Sequence, residues 1–326
     1  MHFIRIFFLT SALITALLLG FIYSIDPYDK YGINVFRFET KAVAMARENK
    51  FNMVDHAKKN YEAFVIGSSA AHRLHTDDVE ALTGFKTFNY AVQHTTPEDY
   101  LAITRHILAR AKPKLILFQM DLYGLNENFK TDTRFYTSPL KAYLDNKNQG
   151  KPENSWFDSD YFTIGAINDS FKVIWVNVTG TVKHLYLDDG NYQKEKPYTG
   201  PLLVTQYSYE NYKLSDKRIQ LLTEMKRLCD EKSVRLLVWT APYSLEHIQR
   251  IMSDEKVSHA LKEFKDVLVE IFGEIYDFTN TDVAKFNSVT YFRDSSHPER
   301  ELFKVILNQV LNNSDSTDQF GKKLKP

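Results

Sequence analysis

Short apolar runs that alternate with helical patterns constrain the fold of this chain more than any other feature. Helix patterns lie between the runs: one begins after Thr96, with Pro97 at its first helical position, and another begins after Ser215. Strands that alternate with helices predict a parallel sheet covered on both faces, so we expect an α/β protein. The apolar runs have strand length and occupy residues 63–66, 87–91, 115–120, 234–240 and 275–278.

The composition limits the function classes. The 326 residues are 44% apolar, which suffices for one large core, so we expect one domain with an insertion. Lysine plus arginine and aspartate plus glutamate both number 41, which removes the electrostatic case for a nucleic-acid partner. The single cysteine, Cys229, excludes an internal disulfide and a cysteine-rich metal site.

Residues 6–25 form an almost uninterrupted apolar run, about long enough to cross a hydrocarbon layer of roughly 30 Å as a helix. Small residues in an A-x-A arrangement do not follow it, which favours an uncleaved anchor over a removed signal peptide. Arg5 precedes the run, and Asp26 and Asp29 follow it. This charge bias predicts an amino terminus in the cytoplasm and a body in the periplasm or at the cell surface.

The hydropathy and secondary-structure patterns divide the chain into segments. We predict a transmembrane anchor over 1–26, a juxtamembrane connector with some helix over 27–60, and an α/β domain over 61–312. An aromatic-rich stretch at 127–213 interrupts the α/β pattern as a lid or a subdomain; its aromatics suit sugar binding but more often form an ordinary core. The polar tail at 313–326 is predicted to be disordered.

Two short motifs carry the candidate chemistry. Gly67-Ser68-Ser69 follows the first strand, where a tight turn at a helix start aims Ser69 into the crevice beyond the sheet. Asp294-Ser295-Ser296-His297 precedes the final helix, and its spacing lets Asp294 orient His297 as a base. Each motif is common by chance, and a capping turn or a solvated surface is its ordinary role. Their order and their positions at element ends favour a serine hydrolase or acyltransferase.

Three further histidines, His72, His75 and His94, invite a metal-site interpretation. We reject it, because they lack the helical i, i+4 spacing of a ligand set. The sequence therefore predicts neither a metal nor a cofactor.

These residues resemble the SGNH (GDSL-like) hydrolase superfamily, specifically its membrane-anchored branch, which is similar to periplasmic O-acetylation proteins and the D-alanine transfer protein of teichoic acid synthesis. The resemblance covers about 61–311 without the insertion. It implies a flavodoxin-like three-layer sandwich, with Ser69 as nucleophile, Ser68 at the family's aspartate position, and Asp294 and His297 completing a triad.

The same resemblance implies an oxyanion hole. The amide of Ser69 and the amide at a glycine position, here His94, would donate to the oxyanion; an asparagine side chain would do so where this chain has Asp121. A backbone amide survives a change from glycine to histidine. An ionised carboxylate only accepts hydrogen bonds, so Asp121 can contribute only when protonated.

The sequence thus predicts a membrane-anchored extracytoplasmic esterase or O-acyltransferase acting on acylated carbohydrate of the cell envelope, or on another small ester, with a possible membrane-embedded acyl-transfer partner. Hydrolysis and transfer use the same residues, so that choice stays open. The alternatives are a catalytically inactive subunit of the same fold, which binds or assembles an envelope polysaccharide-modifying complex, and a structural glycan-binding protein.

Overall fold

A computed structural model describes residues 2–33, 35–36, 38, 40–41, 46–146, 161, 163–180, 185–187, 189–193, 209, 211–312 and 320–326. The chain forms two compact units. The first comprises residues 1–57, 150–188 and 192–195, and the second comprises residues 58–149, 189–191 and 196–326.

Within the described residues, the helices in chain order are α1 (His2–Ile25), α2 (Ala46–Asp55), α3 (Thr76–Thr83), α4 (Pro97–Arg110), α5 (Thr133–Thr137), α6 (Leu140–Leu144), α7 (Ile164–Thr179), α8 (Asp216–Glu231), α9 (Leu245–Ser253), α10 (Glu255–Phe272) and α11 (Arg300–Asn312). The strands are β1 (Thr40–Lys41), β2 (Ala63–Ile66), β3 (Thr87–Asn89), β4 (Leu115–Met120), β5 (Leu185–Leu187), β6 (Tyr192–Gln193), β7 (Arg235–Thr240), β8 (Ile275–Asp277), β9 (Phe292–Asp294), β10 (His297–Pro298) and β11 (Lys322–Leu324).

The second unit contains a six-stranded sheet in the order β11-β8-β7-β4-β2-β3. Strands β3, β2, β4, β7 and β8 run parallel, and β11 pairs antiparallel with β8 at one edge. The central strands β2 and β4 are buried along their whole length, as their continuous apolar sequences require of strands covered on both faces. The predicted α/β class with a mostly parallel sheet is confirmed.

Most sheet elements agree closely with the sequence prediction, and β2 and β4 agree to the residue. The pattern Ser253-Asp254-Glu255 predicts a helix start at Ser253, but α10 starts at Glu255. Asp254 caps this helix, because its carboxylate accepts from the backbone N–H groups of Lys256 and Val257. Ser253 instead ends α9, a helix that the sequence analysis did not predict.

The carboxyl-terminal tail also differs from its prediction. Residues 313–326 were expected to be disordered, but Lys322–Leu324 form the edge strand β11. Phe320 explains this placement, since its buried ring packs against Phe278 at a centroid distance of 4.9 Å. An apolar anchor therefore holds a strand that is otherwise rich in lysine, a residue typical of sheet edges. Residues 313–319 lie outside the described residues.

The first unit is built on α1, which has a mean hydropathy of 2.3 and is long and apolar enough to span a membrane or to serve as a signal sequence. Its last turn is buried: Ile22 and Ile25 form an apolar cluster with Tyr28 and with residues that include Ala166 and Val173 of α7. Strands β1, β5 and β6 form a small antiparallel sheet in the same unit.

Asp26 ends α1 as a buried structural residue rather than as a solvated charge. Its backbone adopts φ +47°, and its carboxylate accepts hydrogen bonds from the backbone N–H groups of Lys30, Tyr31 and Ile33 at 2.9 to 3.1 Å. The Tyr161 hydroxyl donates to the same carboxylate. The turn after the apolar helix is thus fixed within the first unit.

The predicted 127–213 insertion is shared between the units. Helices α5 and α6 belong to the second unit, whereas α7, β5 and β6 belong to the first. Part of the predicted lid, residues 147–160, 162, 181–184, 188, 194–208 and 210, lies outside the described residues.

Candidate active site

Ser69 lies three residues after the end of β2, at the start of a one-turn 3-10 helix, Ser69–Ala71. The Ser68 hydroxyl accepts a hydrogen bond from the Ala70 amide at 3.1 Å and caps this turn. Gly67 is required for space: a Cβ there would lie 2.8 Å from the Cβ of Ala71 and 3.1 Å from that of Gln119. Close packing, rather than a left-handed backbone, therefore explains the glycine.

The structure brings the three predicted triad residues together. Ser69 Oγ lies 2.9 Å from Nε2 of His297, and Nδ1 of His297 lies 2.8 Å from both carboxylate oxygens of Asp294. With Nδ1 protonated and donating to Asp294, Nε2 presents its lone pair to the serine hydroxyl. This arrangement can withdraw the hydroxyl proton as the oxygen attacks an electrophilic carbon.

The Asp294 carboxylate is held in its charged form. Burial alone would raise its pKa, but hydrogen bonds from His297 and from Ser296 outweigh burial and lower the pKa below its ordinary value. Asp294 Oδ1 also accepts from the backbone N–H groups of Ser296 and His297, both at 3.0 Å. The carboxylate thus fixes both the loop and the imidazole ring.

Helix α9 supports this loop through contacts that sequence analysis missed. The Ser244 amide donates to the Ser295 carbonyl at 2.9 Å, and Nδ1 of His247 lies 3.3 Å from the Ser295 hydroxyl. Burial lowers the pKa of His247 to about 4, so this ring is neutral at physiological pH. The ring stacks on Tyr243 with centroids 4.6 Å apart. His247 is therefore a positioning residue for the 294–297 loop.

Two ion pairs join the serine end of the site to the histidine end. Arg73, four residues after Ser69, donates to Glu299 at 2.5 Å, and Glu299 lies two residues after His297. Arg300 donates to both carboxylate oxygens of Asp78 at 2.7 and 2.8 Å, which ties α11 to α3. Bidentate pairs of this kind fix geometry as well as charge.

Asp121 follows the last residue of β4 and is buried, with an exposed fraction of 3%. Its Oδ2 atom has no hydrogen-bond partner within the described residues. Burial raises the pKa of the carboxyl to about 6, against opposing interactions with Ser68, His297 and Gln119. The neutral acid is therefore well populated at mildly acidic pH, and in that form it is a hydrogen-bond donor.

His94 has a backbone φ of +52°, in the left-handed region that favours glycine. Its position therefore has glycine-like geometry although the residue is histidine, and its side chain is exposed. The Ser69 amide stands at the first position of its turn, where an N–H group has no acceptor within its own helix.

The other two histidines considered as metal ligands differ from His94 in their burial. His72 is buried and His75 is half-buried, with a pKa lowered by burial. Within the described part of the chain, no group of three or more histidine, cysteine, aspartate or glutamate side chains is placed to hold a metal ion.

No protein-family model matches this chain, and no curated protein matches it.

Proposed function

We propose that this protein is a serine esterase or O-acyltransferase, anchored in a membrane with its second unit outside the cytoplasm, that acts on acyl esters of cell-envelope carbohydrate. The observation that carries the proposal is the continuous hydrogen-bond relay from Ser69 through His297 to Asp294. A relay of this geometry is unnecessary for packing and matches the needs of acyl transfer.

The proposed reaction has two halves. Ser69 Oγ attacks the acyl carbon while His297 Nε2 takes the hydroxyl proton, and Asp294 stabilises the resulting imidazolium. The tetrahedral intermediate expels the alcohol, which takes the proton from His297, and leaves acyl-Ser69. His297 then removes a proton from water or from a sugar hydroxyl, which attacks the acyl group. The second tetrahedral intermediate expels Ser69 Oγ, which takes that proton back from His297. Water gives hydrolysis and a sugar hydroxyl gives transfer.

The oxyanion that forms in each half needs donors on the other side of the acyl carbon. The amides of Ser69 and His94 are the proposed backbone donors. Asp121 is the proposed third donor in its protonated form, because its buried carboxyl lies beside Ser68 and interacts electrostatically with His297. Because its pKa is raised, the Asp121 carboxyl can be protonated and donate a hydrogen bond, as an asparagine amide would at this position.

The sheet order supports the resemblance to SGNH hydrolases. The parallel strands run β3-β2-β4-β7-β8, which is the 2-1-3-4-5 order of flavodoxin-like sheets. The order reverses between β2 and β4, and Ser69 and Asp121 follow these two strands. Ligands of such sheets bind at that switch point, so the proposed nucleophile and oxyanion donor fall where an active site is expected.

The packing of α1 supports an uncleaved anchor. Ile22 and Ile25 contribute to the same apolar cluster as Ala166 and Val173 of α7. Cleavage after the apolar segment would remove Ile22 and Ile25 from this cluster. These contacts therefore favour an uncleaved anchor over a removed signal sequence. Arg5, in the first turn of α1 and just before the apolar run, favours an amino terminus in the cytoplasm.

A second candidate is a catalytically inactive binding or assembly subunit. The carboxyl of Asp121, in place of an amide donor, favours it, because the ionised form would repel an oxyanion. The two candidate functions can be distinguished by the acyl-Ser69 intermediate, which only the enzyme forms.

The test incubates the full-length chain in detergent micelles with p-nitrophenyl acetate and with an O-acetylated glycan, and follows p-nitrophenolate, acetate and the mass of the Ser69 peptide. The enzyme proposal expects turnover and a trapped acetyl group on Ser69, both lost in Ser69→Ala and retained in Ser253→Ala, which changes an exposed serine outside the site. A folded chain with no turnover and no acetyl-Ser69 would support the inactive subunit instead.

A further inference from the structure

Helix α7 exposes an apolar stripe. Ile164, Phe171, Trp175 and Val178 are exposed by 78%, 59%, 59% and 74%. Their spacings of seven, four and three residues place all four on one face of the helix. Large exposed side chains in a continuous row mark a surface that is covered in the working protein.

This stripe is continuous with α1 inside the same unit. Phe171 packs against Phe21 of α1 with ring centroids 5.1 Å apart, although more than half of its own surface remains exposed. The Tyr28 hydroxyl, just beyond α1, donates to Asp169 of α7 at 3.0 Å. The two helices are therefore joined where α1 ends, by an aromatic pair and a buried hydrogen bond.

The surface of α1 at this junction is itself apolar and exposed. Leu17 and Leu18, one turn before Phe21, are exposed by 65% and 42%. A helix of this composition that crosses a bilayer exposes those leucines to lipid. An apolar stripe that touches the lipid-exposed part of an anchor reaches the boundary between acyl chains and headgroups.

The residues around the stripe fit that boundary. Trp175 is of the side-chain type enriched at membrane interfaces. Exposed polar side chains, Asn168, Lys172 and Thr179, border the stripe on one side, and the Lys172 side chain is 65% exposed. An apolar stripe beside a polar margin that carries lysine is typical of a helix that lies in the plane of a membrane surface.

We infer that α7 is a second membrane-contacting element, which lies in the bilayer interface beside the anchor with Ile164, Phe171, Trp175 and Val178 inserted among lipid chains. The ligand of this surface is the lipid bilayer. This inference does not depend on the chemistry of Ser69, but it does require that α1 spans the membrane.

The experiment places a nitroxide on single cysteines in the full-length Cys229→Ala chain, reconstituted in phosphatidylcholine nanodiscs. Labels replace Phe171, Trp175 and Val178 in turn, and power-saturation spectroscopy compares collisions with oxygen, which enriches in lipid, and with a water-soluble nickel chelate. His259, whose side chain is 70% exposed on α10, is the aqueous control, and Leu13 in α1 is the lipid control.

Labels on the stripe are expected to shift from the nickel-accessible behaviour of position 259 toward the oxygen-accessible behaviour of position 13. Stripe labels as nickel-accessible as position 259, with position 13 in lipid, would overturn the inference while leaving the anchor intact. Stripe labels shielded from both reagents would also overturn it, and would indicate a protein partner or a second copy. A nickel-accessible position 13 would overturn the anchor and the inference together, without bearing on the triad.

Discussion

Ser69 and His297 are separated by 228 positions in the chain, yet Oγ of the serine lies 2.9 Å from Nε2 of the histidine. The parallel sheet brings them together, because Ser69 follows the central strand β2 and His297 begins β10, just before α11. Ion pairs from Arg73 to Glu299 and from Arg300 to Asp78 close the same junction. The parallel sheet and these two ion pairs therefore together position Ser69 beside His297.

The first prediction concerns the Asp294 carboxylate. Asp294→Asn should reduce the rate of Ser69 acylation by about 10³- to 10⁴-fold, because an amide no longer stabilises the imidazolium and no longer selects the tautomer with Nδ1 protonated. The measurement is the p-nitrophenolate burst with p-nitrophenyl acetate. Asp282→Asn, at a half-exposed carboxylate outside the site, is the matched control. An unchanged burst in Asp294→Asn would remove this residue from the relay.

A second prediction concerns the pH dependence of activity. Asp121 donates only when protonated, and its pKa is about 6, so its proposed contribution to an oxyanion hole should fall as the pH rises above 6. Asp121→Asn supplies an amide donor at every pH. The activity of this variant relative to wild type should therefore rise between pH 5 and pH 8. A ratio that stays constant with pH would contradict a proton-dependent role for Asp121.

A third prediction concerns stability at the same residue. Burial raises the folded-state pKa of Asp121 from 3.8 to about 6, so ionisation in the folded protein is unfavourable. The resulting penalty is absent below about pH 4, grows as the pH rises, and reaches its full value of about 3 kcal/mol above the folded-state pKa.

Asp121→Asn should consequently raise the free energy of unfolding relative to wild type at pH 8 but not at pH 4. Urea unfolding at the two pH values measures this difference, with Glu231→Gln at an exposed carboxylate as control. Equal effects of Asp121→Asn at both pH values would show that Asp121 is not held in a raised-pKa state.

A fourth prediction concerns the backbone of His94. The left-handed conformation at φ +52° disfavours any residue with a Cβ, so His94→Gly should stabilise the fold by about 1 kcal/mol. Both His94→Gly and His94→Ala should retain acylation of Ser69, because the proposed donor is the backbone amide. Thermal unfolding and the nitrophenolate burst provide the two measurements. Loss of the burst in both variants would assign the role to the imidazole instead.

A fifth prediction concerns the clamp between Arg73 and Glu299. Arg73→Met removes the cation that is hydrogen-bonded to the half-buried carboxylate of Glu299 and should destabilise the protein by about 1 to 3 kcal/mol. It should also slow acylation, since the serine and histidine segments lose one of the two ion pairs that join them. Arg73→Met combined with Glu299→Met should recover part of the stability, as measured by urea unfolding. A double variant no more stable than Arg73→Met would argue against a pairwise interaction.

Local patterns predicted the parts of the fold that local physics determines. The runs at 63–66 and 115–120 are continuous, apolar and bounded by polar residues, so β2 and β4 were found to the residue. Thr96 as the capping residue and Pro97 at the first helical position marked the start of α4. Ser69, Asp294 and His297, which the structure joins in one hydrogen-bond relay, were predicted as a triad because Gly67-Ser68-Ser69 and Asp294-x-x-His297 are each local motifs.

Long-range contacts outside the two motifs could not be predicted from the sequence. His247 lies 48 positions from Ser295, and Arg73 lies 226 positions from Glu299, so neither pair leaves a pattern in the chain. The tail strand β11 has two lysines in three residues, a composition that resembles a disordered tail until Phe320 is placed against the core. The pKa of Asp121 depends on burial, which the residue type does not reveal.

The central claim is that His297 and Asp294 activate Ser69, and the most direct measurement is intact mass after exposure of the full-length chain to a serine-directed fluorophosphonate. We predict one adduct, mapped to Ser69 by peptide analysis, absent in Ser69→Ala and strongly reduced in His297→Ala, with Ser253→Ala labelled like wild type. A folded wild-type chain that remains unlabelled, or a label that persists in Ser69→Ala, would contradict the account.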